Sequence, residues 1–221
     1  PADEEVLKIG RGHSSCKECL PLQTTVGGLI SHVRQRPSDE ITVFFMPSAN
    51  GPCRFGQYHV LCKTIIQKLQ MPDVAVLSLT ANNGYDGLGN RFWLAAWRAC
   101  IIADLFDEMW ATLLAAAKDR SEALRTLEEE YEAIRSVIAT DWKTLARQLE
   151  VTAQRLSRIP LERPYEEYPV LSLIGEIYVR NDPISLQSLV ERLGDRGFIV
   201  RTAKISEWVK YLDWLALRRI E

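Results

Sequence analysis

The sequence predicts an α/β protein made of two strand–helix–strand units with parallel sheets, joined by a helical segment. Three observations carry this. Continuous apolar runs rich in β-formers occupy residues 41–46 and 74–79, with an amphipathic helical pattern between them. A second, shorter arrangement of the same kind follows at residues 170–174 and 198–200. Residues 91–157, in between, show helical periodicity and no strand signal. Continuous apolar runs, as opposed to alternating ones, are the pattern of strands buried on both faces of a parallel sheet.

Taken in order, residues 1–15 read as a lead-in with a glycine-bearing turn. Leu22, Val26, Leu29, Ile30 and Val33 recur at helical spacing, so a helix is expected over about 17–36, ending near Arg36-Pro37. Thr24, Thr25, Gly27 and Gly28 make it a poor autonomous helix, and the two glycines permit close approach of another backbone. After the first strand, a helix over about 54–70 places Phe55, Tyr58, Cys62, Ile65, Ile66 and Leu69 on one face. The helical segments beyond are expected at about 91–118, 121–138 and 141–157, with Ser121 and Thr140-Asp141 as start signals. Glu128-Glu129-Glu130 reads as a solvated face. Residues 160–169 carry prolines and charges and mark a linker. A helix over about 184–194 and another over 205–220 complete the second unit. The expected organisation is 1–90, a cysteine-bearing α/β domain; 91–160, helical; and 161–221, a second α/β unit that reads as incomplete.

Composition bounds the function. Of 221 residues, 47% are hydrophobic and 25% charged, and the formal net charge is -2, which leaves no electrostatic footprint for nucleic acid. No stretch approaches the roughly 20 apolar residues that cross a bilayer. Without a secretion signal, the five cysteines fit a reducing cytoplasm better than a disulfide framework. The start at Pro1, with no initiator Met, suggests processing, removal of a tag, or an excised piece of a longer protein.

Cys16 and Cys19 form a CxxC at an expected helix start, where unpaired N–H groups and the helix dipole favour thiolate, the metal-binding form. Cys53 stands in a Gly-Pro-Cys loop after the first strand, at the sheet edge where α/β proteins bind ligands. Three such thiols can hold three irons of a cubane and leave one position for an outside ligand; zinc is the competing reading. Cys62 and Cys100 are in phase with apolar faces and read as core. His13, Arg54, Gln57 and Asn83 are polar groups that could surround the thiols, and Glu176, Tyr178 and Arg180 could line a cleft. An ordinary turn explains His13 and Asn83 equally well, and Arg54 and Gln57 can simply complete the first turn of their helix. There is no Walker A loop, complete G-x-G-x-x-G or H-E-x-x-H.

These residues also carry a resemblance. Gly12-His13-Ser14-Ser15-Cys16-Lys17-Glu18-Cys19-Leu20-Pro21-Leu22-Gln23, Gly51-Pro52-Cys53-Arg54-Phe55-Gly56-Gln57-Tyr58, Leu79-Thr80-Ala81-Asn82-Asn83-Gly84-Tyr85 and Gly175-Glu176-Ile177-Tyr178-Val179-Arg180 look like the large acyl-CoA dehydratase activase-related proteins. In that family an activase ATPase is fused to a region similar to 2-hydroxyacyl-CoA dehydratase and benzoyl-CoA reductase subunits. The resemblance implies two flavodoxin-like domains joined by helices. It also implies a [4Fe–4S] or double-cubane iron–sulfur cluster between them, with Cys16 or Cys19, and Cys53, as the first domain's ligands. An ATP-dependent activase is the implied partner, an acyl-CoA the implied substrate, and a homodimer a further expectation. The ATPase region is absent, and the chain stops before the segment where the family would supply the second domain's own cysteine. The expectation is therefore a fragment that holds no complete catalytic site alone and can lack its cluster when isolated. Two further readings stand beside it: a non-catalytic metal-holding scaffold that docks a partner, and a zinc-stabilised structural domain.

Overall fold

The computed structural model describes residues 2–15, 17–80 and 87–218. The chain divides into two compact units, Pro1–Gly89 and Asn90–Glu221. The class is mixed α/β, mostly helical, with two small parallel two-stranded sheets.

The first unit opens with a helix where the sequence suggests only a lead-in. α1 (Glu4–His13) is capped by Asp3, whose Oδ1 accepts from the Val6 N–H at 2.8 Å, and Glu4 and Glu5 complement the dipole in its first turn. α2 (Leu20–Gln35) begins three residues later than expected, so Cys19 is its N-cap residue. Gly10 and Gly27 explain how the two helices meet. A Cβ on Gly10 would lie 1.7 Å from the Gln23 carbonyl oxygen, and one on Gly27 would lie 1.9 Å from that of Val6. The helices therefore touch backbone to backbone. Gly28 faces open space.

β1 (Thr42–Phe45) pairs in parallel with β2 (Val74–Leu77), from Thr42↔Val74 to Phe45↔Leu77. Between them run a 3-10 turn, Arg54–Gln57, and α3 (Tyr58–Lys68). Leu22, Val26 and Ile30 of α2 pack with Tyr58 and Ile65 of α3 and with Phe44 and Val76 on one sheet face. The opposite face is open: Val43, Phe45 and Leu77 are 60%, 48% and 44% exposed. Burial on both faces, which the apolar runs imply, is therefore not found here. Both packing helices lie on the same side of the sheet, which is two strands wide among the described residues.

Arg36 fastens the amino end of this sheet. Its guanidinium donates to the Glu40 carbonyl, to Thr42 Oγ1 at 2.9 Å, and to the carbonyls of Asp73 at 3.2 Å and Pro72 at 2.7 Å. Replacing it (Arg36→Met) is expected to cost about 1–2 kcal/mol, because backbone acceptors lose a charged donor. Urea unfolding checks this, and an unchanged midpoint would show that the fastening contributes nothing.

The second unit is led by α4 (Gly89–Ala116), α5 (Arg120–Val137) and α6 (Trp142–Leu156). Asp119 caps α5, so Ser121 is inside the helix and not its cap. Asp141 caps α6 through the Lys143 and Thr144 N–H groups, as anticipated. Ile102, Phe106, Leu113, Leu127, Ile134 and Leu145 form the core among the three helices. The acidic run is not uniformly solvated. Glu130 is 3% exposed and accepts from Thr152 Oγ1 and, at 2.7 Å, from Arg155. The proline-bearing segment is held to the end of α4, with Lys118 N donating to the Pro160 carbonyl and Glu162 N to that of Ala116.

β3 (Val170–Leu173) pairs in parallel with β4 (Ile199–Thr202). The single helix expected between them is two short ones, α7 (Pro183–Leu186) and α8 (Leu189–Gly194). They are separated at Gln187 and Ser188, whose φ angles of 46° and 56° are left-handed and cannot continue a right-handed helix. α9 (Ile205–Leu217) closes the unit. Among the described residues, no helix is long and apolar enough to cross a membrane.

Candidate functional site

In a parallel strand–helix–strand unit, the loop after the first strand and the start of the helix stand at the carboxyl edge of the sheet. Here that loop carries Cys53 and the helix start carries Tyr58, and a further parallel bridge, Ser48↔Thr80, extends the pairing past the strand ends. Gly56 fits against this loop closely: a Cβ there would lie 2.0 Å from the Ala49 carbonyl oxygen. Two links fasten the start of α2 to the same edge. Cys19 Sγ lies 2.7 Å from Tyr58 Oη, and Glu18 is paired with Arg54 at 3.0 Å. Cys19 and Cys53 are both exposed. Tyr58 is 4% exposed, with its ring edge-on to Phe55. Its hydroxyl is its only polar handle, so a buried Tyr58 orients whatever that hydroxyl contacts.

Further residues fall as follows. Cys16 and Asn83 lie outside the described residues, as do Asn82, Tyr85 and Asp86 of the same loop. His13 is the half-buried last residue of α1. Arg54 opens the 3-10 turn, facing Glu18, and Gln57 is exposed at the turn's end. His59, in the first turn of α3, has its Nδ1 buried with no partner among the described residues. Cys62 is fully buried, and burial pushes its thiol up to about 11, which suits a core residue and not a ligand. Cys100 is only half-buried; burial and then Asp104 raise its thiol above the ordinary value.

Sequence reasoning passed over two residues of this edge. Tyr58 was in phase with the apolar face of α3 and read only as core, although its hydroxyl needs a partner. Glu18 sits inside the CxxC itself, and its acidic charge next to the cationic Arg54 on the other cysteine-bearing segment was the available signal.

The second unit has its own carboxyl edge. Glu176 Oε2 accepts from the Val179 N–H at 2.8 Å and so closes a turn, while Arg180 is buried beneath it. Asp104, 9% exposed, accepts from the N–H groups of Ile205 at 3.1 Å and Ser206 at 2.8 Å, capping α9. Glu108 is paired with Lys204 at 2.6 Å and Arg201 at 3.0 Å, and these cations hold its carboxyl below the usual range.

The donor chemistry at the first edge suits soft metals, since exposed thiols are ligands for iron–sulfur clusters and zinc. Among the described residues no three His, Cys, Asp or Glu side chains gather to hold a metal ion. The described part of the edge offers two thiols, with a hydroxyl against one of them. The chain matches no family model, curated protein or solved structure in these comparisons.

Proposed function

We propose that the chain is the iron–sulfur-binding part of an ATP-activated, low-potential reductase or dehydratase system acting on acyl-CoA-like or small substrates. What supports the reading is one observation: Cys19 and Cys53 face solvent on two segments joined by the Cys19–Tyr58 and Glu18–Arg54 links. Cys16 is the third thiol proposed. In the finer fold reading, both parallel units are flavodoxin-like, and the chain works in a reducing cytoplasm with an ATP-dependent activase as electron donor.

When bound, a [4Fe–4S] cluster supplies one-electron transfer. The chain's own residues hold and orient. Cys19 and Cys53 would provide thiolates. Tyr58 Oη, fixed by burial of its ring, would donate to the Cys19 sulfur, and hydrogen bonds to ligand sulfurs are one of the factors that set cluster potential. The Glu18–Arg54 pair keeps the two cysteine-bearing segments in register.

Anaerobic reconstitution with iron and sulfide tests this. The native chain is expected to give the optical and EPR signals of a cubane, and each of Cys16→Ser, Cys19→Ser and Cys53→Ser to weaken them. Tyr58→Phe should keep the cluster and shift its potential. If no cubane forms and the thiols titrate as independent free groups, the proposal fails. One equivalent of tightly held zinc, in its place, would favour a structural zinc site.

A further inference from the structure

A hollow of about 860 Å³ opens in the second unit among α4, α5, α6, the residues that follow α6, and β4. Phe106, Leu113 and Ile134, all buried, lie deepest in it, and the partly buried Met109, Leu149 and Leu156 also line it. Several elements contribute lining, so the space is bounded on several sides, and its volume is that of a small-molecule site. Apolar side chains lining it gain when something other than water lies against them.

The polar part of the lining is already committed. Glu108 and Arg201 are the charged residues that line the hollow, one of each sign, and they are paired at 3.0 Å. Arg201 Nη2 also donates to Tyr165 Oη at 2.8 Å. Thr112 Oγ1 donates to the Glu108 carbonyl at 2.8 Å, Ser157 Oγ to that of Gln154 at 3.0 Å, and Thr152 Oγ1 to Glu130. The lining therefore carries no net charge, and an ionic ligand would shed its water without gaining a free counter-ion. One donor is left over. A tyrosine hydroxyl both accepts and donates, and Tyr165 Oη makes no bond through its own proton among the described residues.

We infer that this hollow binds an uncharged small molecule, hydrocarbon for most of its length, with one hydrogen-bond acceptor such as a ketone oxygen set against the Tyr165 hydroxyl. The site belongs to the second unit and uses none of the cysteine edge, so it stands or falls independently of the metal proposal.

The test uses the full chain and Nile red, an uncharged dye that brightens in apolar surroundings. Bound dye should be displaced by valerophenone, an uncharged ketone, and at least about tenfold less well by phenylvalerate, whose similar hydrocarbon body ends in a carboxylate. Tyr165→Phe should weaken valerophenone about fivefold and leave pentylbenzene, which has no acceptor, unchanged. Ala153→Trp, at an exposed lining position on α6, should abolish dye binding with an unchanged urea midpoint. Leu105→Asp, which puts an unpaired charge at a lining position 45% exposed, should weaken it about tenfold. No saturable dye binding, phenylvalerate competing as well as valerophenone, valerophenone binding indifferent to Tyr165→Phe, or no response to the two lining variants would each overturn the inference. So would self-association of the chain that these variants abolish, since a second copy would then be the occupant.

Discussion

Gly10→Ala is expected to destabilise the first unit by at least about 3 kcal/mol, although alanine is the better helix former. Taken alone, the substitution would gain about 1 kcal/mol in a helix interior. The packing decides otherwise. The new Cβ would lie 1.7 Å from the Gln23 carbonyl oxygen and 2.6 Å from its carbon. Those are backbone atoms of α2 and cannot rotate away, so α1 has to shift and lose its seat. Overpacking that forces backbone movement reaches the upper end of the usual range. Gly27→Ala meets the Val6 carbonyl at 1.9 Å and should behave alike. Gly28→Ala, one position on and facing open space, should instead stabilise by about 0.5–1 kcal/mol. Chemical denaturation of the three variants checks the contrast. Equal small effects at positions 10 and 28 would show that the helices do not meet at backbone distance.

Asp104→Ala should cost the second unit about 2–3 kcal/mol. Its carboxylate is the cap of α9, and it is contributed by α4 and not by the residue preceding the helix. Removal leaves two N–H groups without their acceptor, and that of Ser206, a residue 4% exposed, has little access to water. Hydrogen bonds to a charged acceptor are worth more than neutral ones, and an unmade buried one costs its desolvation. Asp104→Asn should cost roughly half as much, since one oxygen still accepts. Part of the loss is offset, because Asp107, raised first by burial, is raised further by the Asp104 charge, and only that second contribution is removed. The sign follows from linkage: a carboxyl raised in the folded state penalises folding once pH exceeds its unfolded value, so the offset operates at neutral pH and vanishes in acid. Urea unfolding and amide exchange at Ser206 provide the measurement; unchanged protection there would sink the assignment.

Much of the element order was legible because each element carried a local signal. The four strands were marked by short β-rich apolar runs, and the long helices by periodicity and by caps such as Asp141. Three features were not. α1 was hidden by Gly10 and Gly12, which lower helix propensity; Gly10 is required by a neighbour that no local window contains. The open sheet face was invisible, because an apolar run does not reveal how many helices will cover it. The break at Gln187–Ser188 was missed because neither residue is the glycine or proline that ordinarily signals one. At the cysteine edge, the sequence placed Cys53 in the loop after the first strand, where the structure has it. It could not supply the Tyr58 and Arg54 links, which join positions 39 and 36 residues apart.

The Asp104 cap has a kinetic consequence. It closes a separation of 102 residues to Ser206, while the Glu130–Thr152 bond between α5 and α6 closes one of 22. Chain entropy makes the longer closure about 1.4 kcal/mol more expensive, and elements joined over short separations form sooner. The α5–α6 hairpin is thus placed early on the folding route and the sealing of α9 late. Interactions made after the transition state slow unfolding and leave the folding rate alone. Asp104→Ala is accordingly expected to speed unfolding more than it slows folding, which stopped-flow unfolding and refolding rates check.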